Sequence, residues 1–249
     1  MIKKLFILFA LMLPFIVMAE WSGQISASAL SRDSNTLRKK SNNTIQEKQQ
    51  LIDDTKIQIQ LKYKKDVHEI KWTSKYRFYE TDIRKIDDQI TLIQDYKYTL
   101  ENKPYYLSTR SMYQQDYRRA IDHEVLQTLE IGIEWLDKKD MMFSTSIGPA
   151  YHRYLKSDVE QDRNVELMKV VFTERFRWEL VDDLAIIQQY RHQGDFDNYQ
   201  FLFSVGIENR LISNTFLKLE YKIEEDTEVS YDNKAYYNRS LLTSIVYKF

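Results

Sequence analysis

The sequence predicts an all-β protein, a transmembrane up-and-down antiparallel β-barrel of about 12 strands. Three observations predict it. Apolar and polar residues alternate along segment after segment, the period of a strand whose two faces meet different media. Tight and longer links largely alternate between those segments. Aromatic residues gather at the segment ends. A membrane barrel joins all three: lipid-facing positions alternate with lumen-facing ones, short turns oppose longer loops, and aromatic girdles mark both interfaces.

The chain opens with "MIKKLFILFALMLPFIVMA". Lys3 and Lys4, a short apolar run and the ending Val17-Met18-Ala19 read as a secretory signal peptide. Cleavage after Ala19 would leave one barrel domain, residues 20–249. The run is short of the roughly 20 residues that a helical span needs. The first strand is expected at about 21–31. Residues 36–54, "TLRKKSNNTIQEKQQLIDD", are polar and are expected to form a loop or a short surface helix.

Alternation then becomes strict. "KIQIQLKYK" sets Ile57, Ile59, Leu61 and Tyr63 against Lys56, Gln58, Gln60 and Lys62. "EIKWTSKYRFY" sets Ile70, Trp72, Tyr76 and Phe78 against Glu69, Lys71, Lys75 and Arg77. "ITLIQDYKYTL" follows, then a less clean segment at 104–116. "IDHEVLQTLEIGIEW" offers Ile121, Val125, Leu129, Ile131, Ile133 and Trp135 opposite Glu124, Thr128, Glu130 and Glu134. Segments 140–155, 164–180 and 183–193 alternate less cleanly. "YQFLFSVGIENRL", "TFLKLEYKI" and "SLLTSIVYKF" complete the set, the last with Leu241, Thr243, Ile245, Tyr247 and Phe249 on one parity.

The links "YKKDV", "ENKP", "DKKD", "VDD" and "LISN" are tight. Residues 32–54, "ETDIRKIDD", "KSDVEQDRN" and "EEDTEVSYDNK" are longer. With both termini periplasmic, the even-numbered strands end at that interface on Tyr63, Tyr98, Trp135, Trp178 and Phe249, and the first begins at Trp21. Amphipathic rings favour the headgroup level.

Composition narrows function. Loss of Lys3 and Lys4 leaves 34 basic against 37 acidic residues, net −3, without the basic excess of a general nucleic-acid binder. There is no cysteine, so disulfides and a lipid-modified cysteine are excluded. Four histidines, His68, His123, His152 and His192, show no ligand spacing to one another, and no hydrolase motif accompanies them. No catalytic, cofactor or metal site is expected, and the histidines near the outer ends read as solvated. The residues facing inward do define a candidate site. Lys56, Lys62, Lys71, Lys75, Arg77, Glu130, Arg175, Arg177, Lys218 and Glu220 are expected to line a lumen. A charged lumen implies a narrow channel for small or anionic solutes. The alternative is a closed barrel with a structural or surface-interaction role.

The stretches "AEWSGQISASAL", "FSTSIGPAYHRY" and the region from "LVDDLAIIQQYRHQ" to "LLTSIVYKF" resemble a family of outer-membrane β-barrel proteins of unknown function. Some of its members are labelled putative salt-induced outer membrane protein. The likeness rests on Trp21-Ser22-Gly23, Gly148-Pro149, Tyr151, Arg153 and the terminal aromatic. Where the family often has Gly-Asn after its first strand, this chain has Asp33-Ser34-Asn35-Thr36. The resemblance implies the outer membrane of a Gram-negative cell and its lipid bilayer as the setting. It also implies that Tyr247 and Phe249 act as a signal to the barrel assembly machinery. It brings no catalytic residue.

Overall fold

The computed structural model describes residues 21–39, 45–81, 84–116, 121–157, 162–194, 198–231 and 234–249. The expected signal peptide lies outside them. The strands are β1 (Trp21–Lys39), β2 (Ile45–Lys65), β3 (His68–Thr81), β4 (Arg84–Thr99), β5 (Tyr105–Asp116) and β6 (Ile121–Asp137). They continue as β7 (Met141–Ser157), β8 (Asp162–Val181), β9 (Leu184–Gly194), β10 (Tyr199–Ile212), β11 (Thr215–Tyr231) and β12 (Lys234–Lys248). Each pairs antiparallel with its chain neighbours, and β12 pairs with β1 to close the ring. Closure leaves no strand edge to face hydrocarbon, where an unpaired backbone group costs several kcal/mol.

The longer links differ from expectation. Residues 36–39 and 45–54 extend β1 and β2 as one ladder, in register to Lys39↔Ile45, and form neither loop nor helix. The link "ETDIRKIDD" is likewise drawn into β3 and β4, and "EEDTEVSYDNK" into β11 and β12. Antiparallel neighbours keep satisfying each other's backbone groups past the rim, so a polar sequence there still makes strand. At the opposite end, Asp66-Val67, Asp182-Asp183 and Ser213-Asn214 are two-residue turns. Asp66 (φ 50°) and Ser213 (φ 45°) take the left-handed backbone that such hairpins require.

The two faces separate as alternation demands. Ile131 (62 % exposed), Met168 (72 %) and Leu241 (62 %) belong to an apolar exterior. Their neighbours Glu130, Lys169 and Leu242 are buried inside. So broad an apolar band is foreign to a water-soluble surface and suits lipid. Polar pairs interrupt it, among them Ser111 Oγ, which donates to Gln127 Oε1 at 3.0 Å, and Gln188 Nε2, which donates to Glu174 Oε1 at 2.9 Å. Beside the second pair, Trp135 Nε1 donates to Thr145 Oγ1 at 2.9 Å, so these groups satisfy one another.

Aromatic rings cluster at the turn end, where Trp21 lies 5.2 Å from Tyr63 and 5.4 Å from Trp72, and Tyr247 lies 6.4 Å from Phe249. The far end carries a second group: Tyr190 lies 5.9 Å from Phe172 and 5.5 Å from Phe201. Phe249 also ties the seam. Its carbonyl accepts from Gly23 N at 2.8 Å, and its N–H donates to Gly23 O at 2.9 Å. A Cβ on residue 23 would meet the Phe249 ring at 2.5 Å, so the ring lies where only glycine leaves room.

Ile121 is a correction. The alternation put it on the lipid face with Val125, yet it is fully buried inside against Tyr154, Val165 and Leu167. A register shift between Ile121 and His123 inserts one residue, and one extra residue reverses the face.

Candidate functional site

The interior holds two cavities. One, of about 450 Å³, lies toward the far end and is lined from β1–β6 and β9–β12, with no residue of β7 or β8. The other, of about 720 Å³, lies toward the turns and is lined from β2–β9. Lys71, Asp95, Arg110 and Gln189 line both, so the cavities meet at that layer. Because the two are lined by different arcs of the wall, the hollow steps sideways as it descends.

The missing arc is filled by side chains. Leu126, Ala150 and Val171 form a buried cluster joined by Met112. Above it, His152 Nε2 lies 2.8 Å from Glu124 Oε1, and Lys169 Nζ lies 3.0 Å from His152 Nδ1. Gln114 Nε2 donates to Glu124 Oε2 at 3.2 Å. His152 is therefore a core residue, 1 % exposed, and not the solvated histidine expected near an outer end. Its Nδ1 and Nε2 each face a polar group of opposite demand, as burial of imidazole requires.

The expected lumen residues divide between the cavities. Lys56, Lys75, Arg77, Lys218 and Glu220 line the far one, Lys62, Glu130, Arg175 and Arg177 the near one, and Lys71 both. Many are neutralised locally. Lys62 pairs with Glu69 at 2.8 Å, Lys218 with Glu220 at 2.9 Å, and Lys222 with Glu224. Arg177 reaches Glu179 at 3.0 Å and Glu208 at 3.3 Å, and Lys248 reaches Glu208 at 2.5 Å. At the junction Arg110 holds Asp95 with two nitrogens, at 2.6 and 3.3 Å, and Lys71 joins at 3.4 Å.

Others are not neutralised. Among the described residues, Lys56, Lys75 and Arg175 enter no ion pair. Lys75 instead sits in the field of Lys56, Lys222 and Arg110, opposed only in part by Glu224. The far cavity is lined by eight basic and six acidic residues, an excess of two positive charges. The sequence reading did not single out Arg191. It lines the far cavity at 8 % exposure, and neither Nη1 nor Nη2 has a hydrogen-bond partner. No group of three or more metal-ligating residues occurs among the described residues.

A closed twelve-stranded antiparallel barrel with an apolar exterior and a charged interior belongs to the class of transmembrane β-barrels. Within that class the chain belongs to the family described as "Protein of unknown function, DUF481", whose model matches residues 52–249. Solved structures are similar in fold. The NanC porin aligns with TM-score 0.59 at 8 % identity, covering 91 % of this chain and all of its own. An outer-membrane channel from Pseudomonas putida F1 aligns with TM-score 0.55 at 11 % identity, covering 92 % and 95 %. The KdgM porin aligns with TM-score 0.51 at 8 % identity, covering 92 % and 99 %. No curated protein matches significantly.

Proposed function

We propose that the protein is exported by its signal peptide to the Gram-negative outer membrane, where it forms a narrow channel for small solutes with a preference for anions. The carrying observation is the cationic excess of the far cavity, where Lys56 and Lys75 enter no ion pair. In a confined, water-poor passage a fixed positive charge attracts anions and repels cations at short range. The porin and channel folds above support the reading. No reaction is assigned to it. Its partners are the bilayer, the permeating solutes and, through Tyr247 and Phe249, the assembly machinery.

β1 begins and β12 ends at the turn end, which the proposal sets on the periplasmic side. A cysteine placed at Asn198 should then be labelled on intact cells by an impermeant reagent, and cysteines at Lys65, Lys138 or Asp183 should not. Reversed labelling would invert the orientation. The function itself is tested in a planar bilayer under a salt gradient. The expected reversal potential has the anion-selective sign. A folded barrel that passes no current would favour the closed structural alternative, for which the packed cluster around Leu126 and Val171 is the supporting feature.

A further inference from the structure

We propose that Arg191 anchors a binding site for a small carboxylate where the two cavities meet. Three observations carry this. Both terminal nitrogens of Arg191 are buried without a hydrogen-bond partner. The carboxylate nearest to them, Glu130, stands 3.9 Å from Nη1, beyond hydrogen-bond reach, and its own oxygens accept from Thr128 at 2.8 Å and Ser146 at 2.6 Å. Thr173, the register partner of Arg191 on β8, also has a buried hydroxyl without a partner.

Charge separates an anion from mere water. Arg191 feels the positive charges of Arg110 and Arg175 and the negative charges of Glu130 and Asp95. Asp95 is already held by Arg110 and Lys71. Four cations thus share two carboxylates. Water can satisfy hydrogen bonds at Arg191, but it cannot supply the missing negative charge. The two Nη donors lie in one plane, which matches the two oxygens of a carboxylate and gives a bidentate pair. Arg175, with no ion pair of its own, adds attraction from the next strand. The adjoining cavities have the size of small-molecule sites.

Access to the site rests on the channel reading, but binding can be measured without current. The probe is trifluoroacetate, followed by fluorine NMR on the folded protein in detergent. The expected result is saturable line broadening, reversed by acetate and retained in equimolar chloride. Arg191→Gln should weaken it about tenfold, the scale of a lost hydrogen bond to a charged group. Thr173→Val should weaken it less, and Lys65→Gln, at the turn, should leave it unchanged. Each variant is first shown to be folded by its heat-resistant gel mobility. Should Arg191→Gln not fold, Arg175→Gln replaces it, with weakened binding again expected. No saturable binding by the wild type, equal binding by folded Arg191→Gln or Arg175→Gln, or displacement by equimolar chloride would each overturn the proposal. Binding without conductance keeps the site and rejects the channel, and conductance without binding does the reverse.

Discussion

The two sides of the barrel interior are built to different rules. Along β6–β8 the inward positions carry Leu126, Ala150 and Val171, and the polar groups above them are matched in sequence from Gln114 through Glu124 and His152 to Lys169. Along β2 and β3, Lys56 and Lys75 face the far cavity with no ion pair. One side behaves like a protein core, in which the buried polar groups other than the Thr173 hydroxyl are answered. The other keeps its charge available. Stability and selectivity therefore reside in different arcs of one wall, and substitutions should separate them.

The largest effect is expected on the packed side. Leu126→Ala opens a cavity in a cluster that cannot relax freely, at a cost of about 2–5 kcal/mol. Thermal or denaturant unfolding, read by loss of heat-resistant gel mobility, measures it. A loss below that of a surface substitution would mean that the arc is loosely packed. Next comes the lipid face. Leu219→Arg places a charge in hydrocarbon, at about 2–4 kcal/mol near the midplane, and the same gel assay reads it. Unchanged folding there would place Leu219 inside. Deleting Phe249 removes at most about 1.5–3 kcal/mol of apolar contact. Its expected effect is on assembly, read as a reduced amount in the outer membrane with normal heat resistance of the barrels that form. Normal amounts would end its role as a signal.

The smallest effect on folding and the clearest on selectivity should come from the open side. Lys75→Glu meets no ion pair, so the barrel should still fold while the reversal potential moves toward cations. Lys218 is a poorer probe because it is tied to Glu220 at 2.9 Å, and a glutamate there would repel that partner. A Lys75→Glu channel with unchanged selectivity would place the selective step elsewhere.

How far the sequence could be read followed from how cleanly each strand divides its faces. Residues 56–64, 69–78 and 217–223 alternate cleanly, so Lys56, Lys75 and Lys218 could be placed by parity alone, whereas β12 turns Leu242 and Val246 inward. β9 reads Leu-Ala-Ile-Ile-Gln-Gln-Tyr-Arg-His-Gln-Gly and mixes polar and apolar residues on both faces, which concealed Arg191. Ile121 was misplaced because a bulge leaves no mark in a period-two pattern. Residues 36–39 and 45–54 form strand, against expectation, because hairpin pairing above the membrane needs no apolar face. The inward apolar cluster escaped because each of its members comes from a different strand, and parity marks a face without naming its neighbours.

The seam between β1 and β12 differs from every other ladder in one respect. Seven residue pairs join it, Gly23 with Phe249 included, whereas β1 and β2 share nineteen. Those nineteen can form within one hairpin, as soon as a short piece of chain folds back. The seven must bring together residues more than two hundred positions apart, such as Ala27 and Ile245, at a loop-closure entropy that no local turn reduces. The fewest bonds thus oppose the longest loop. In kinetic terms the ring is a zipper with one late tooth: eleven hairpin-linked ladders can advance one after another, and a single short one decides when the curled sheet becomes a barrel.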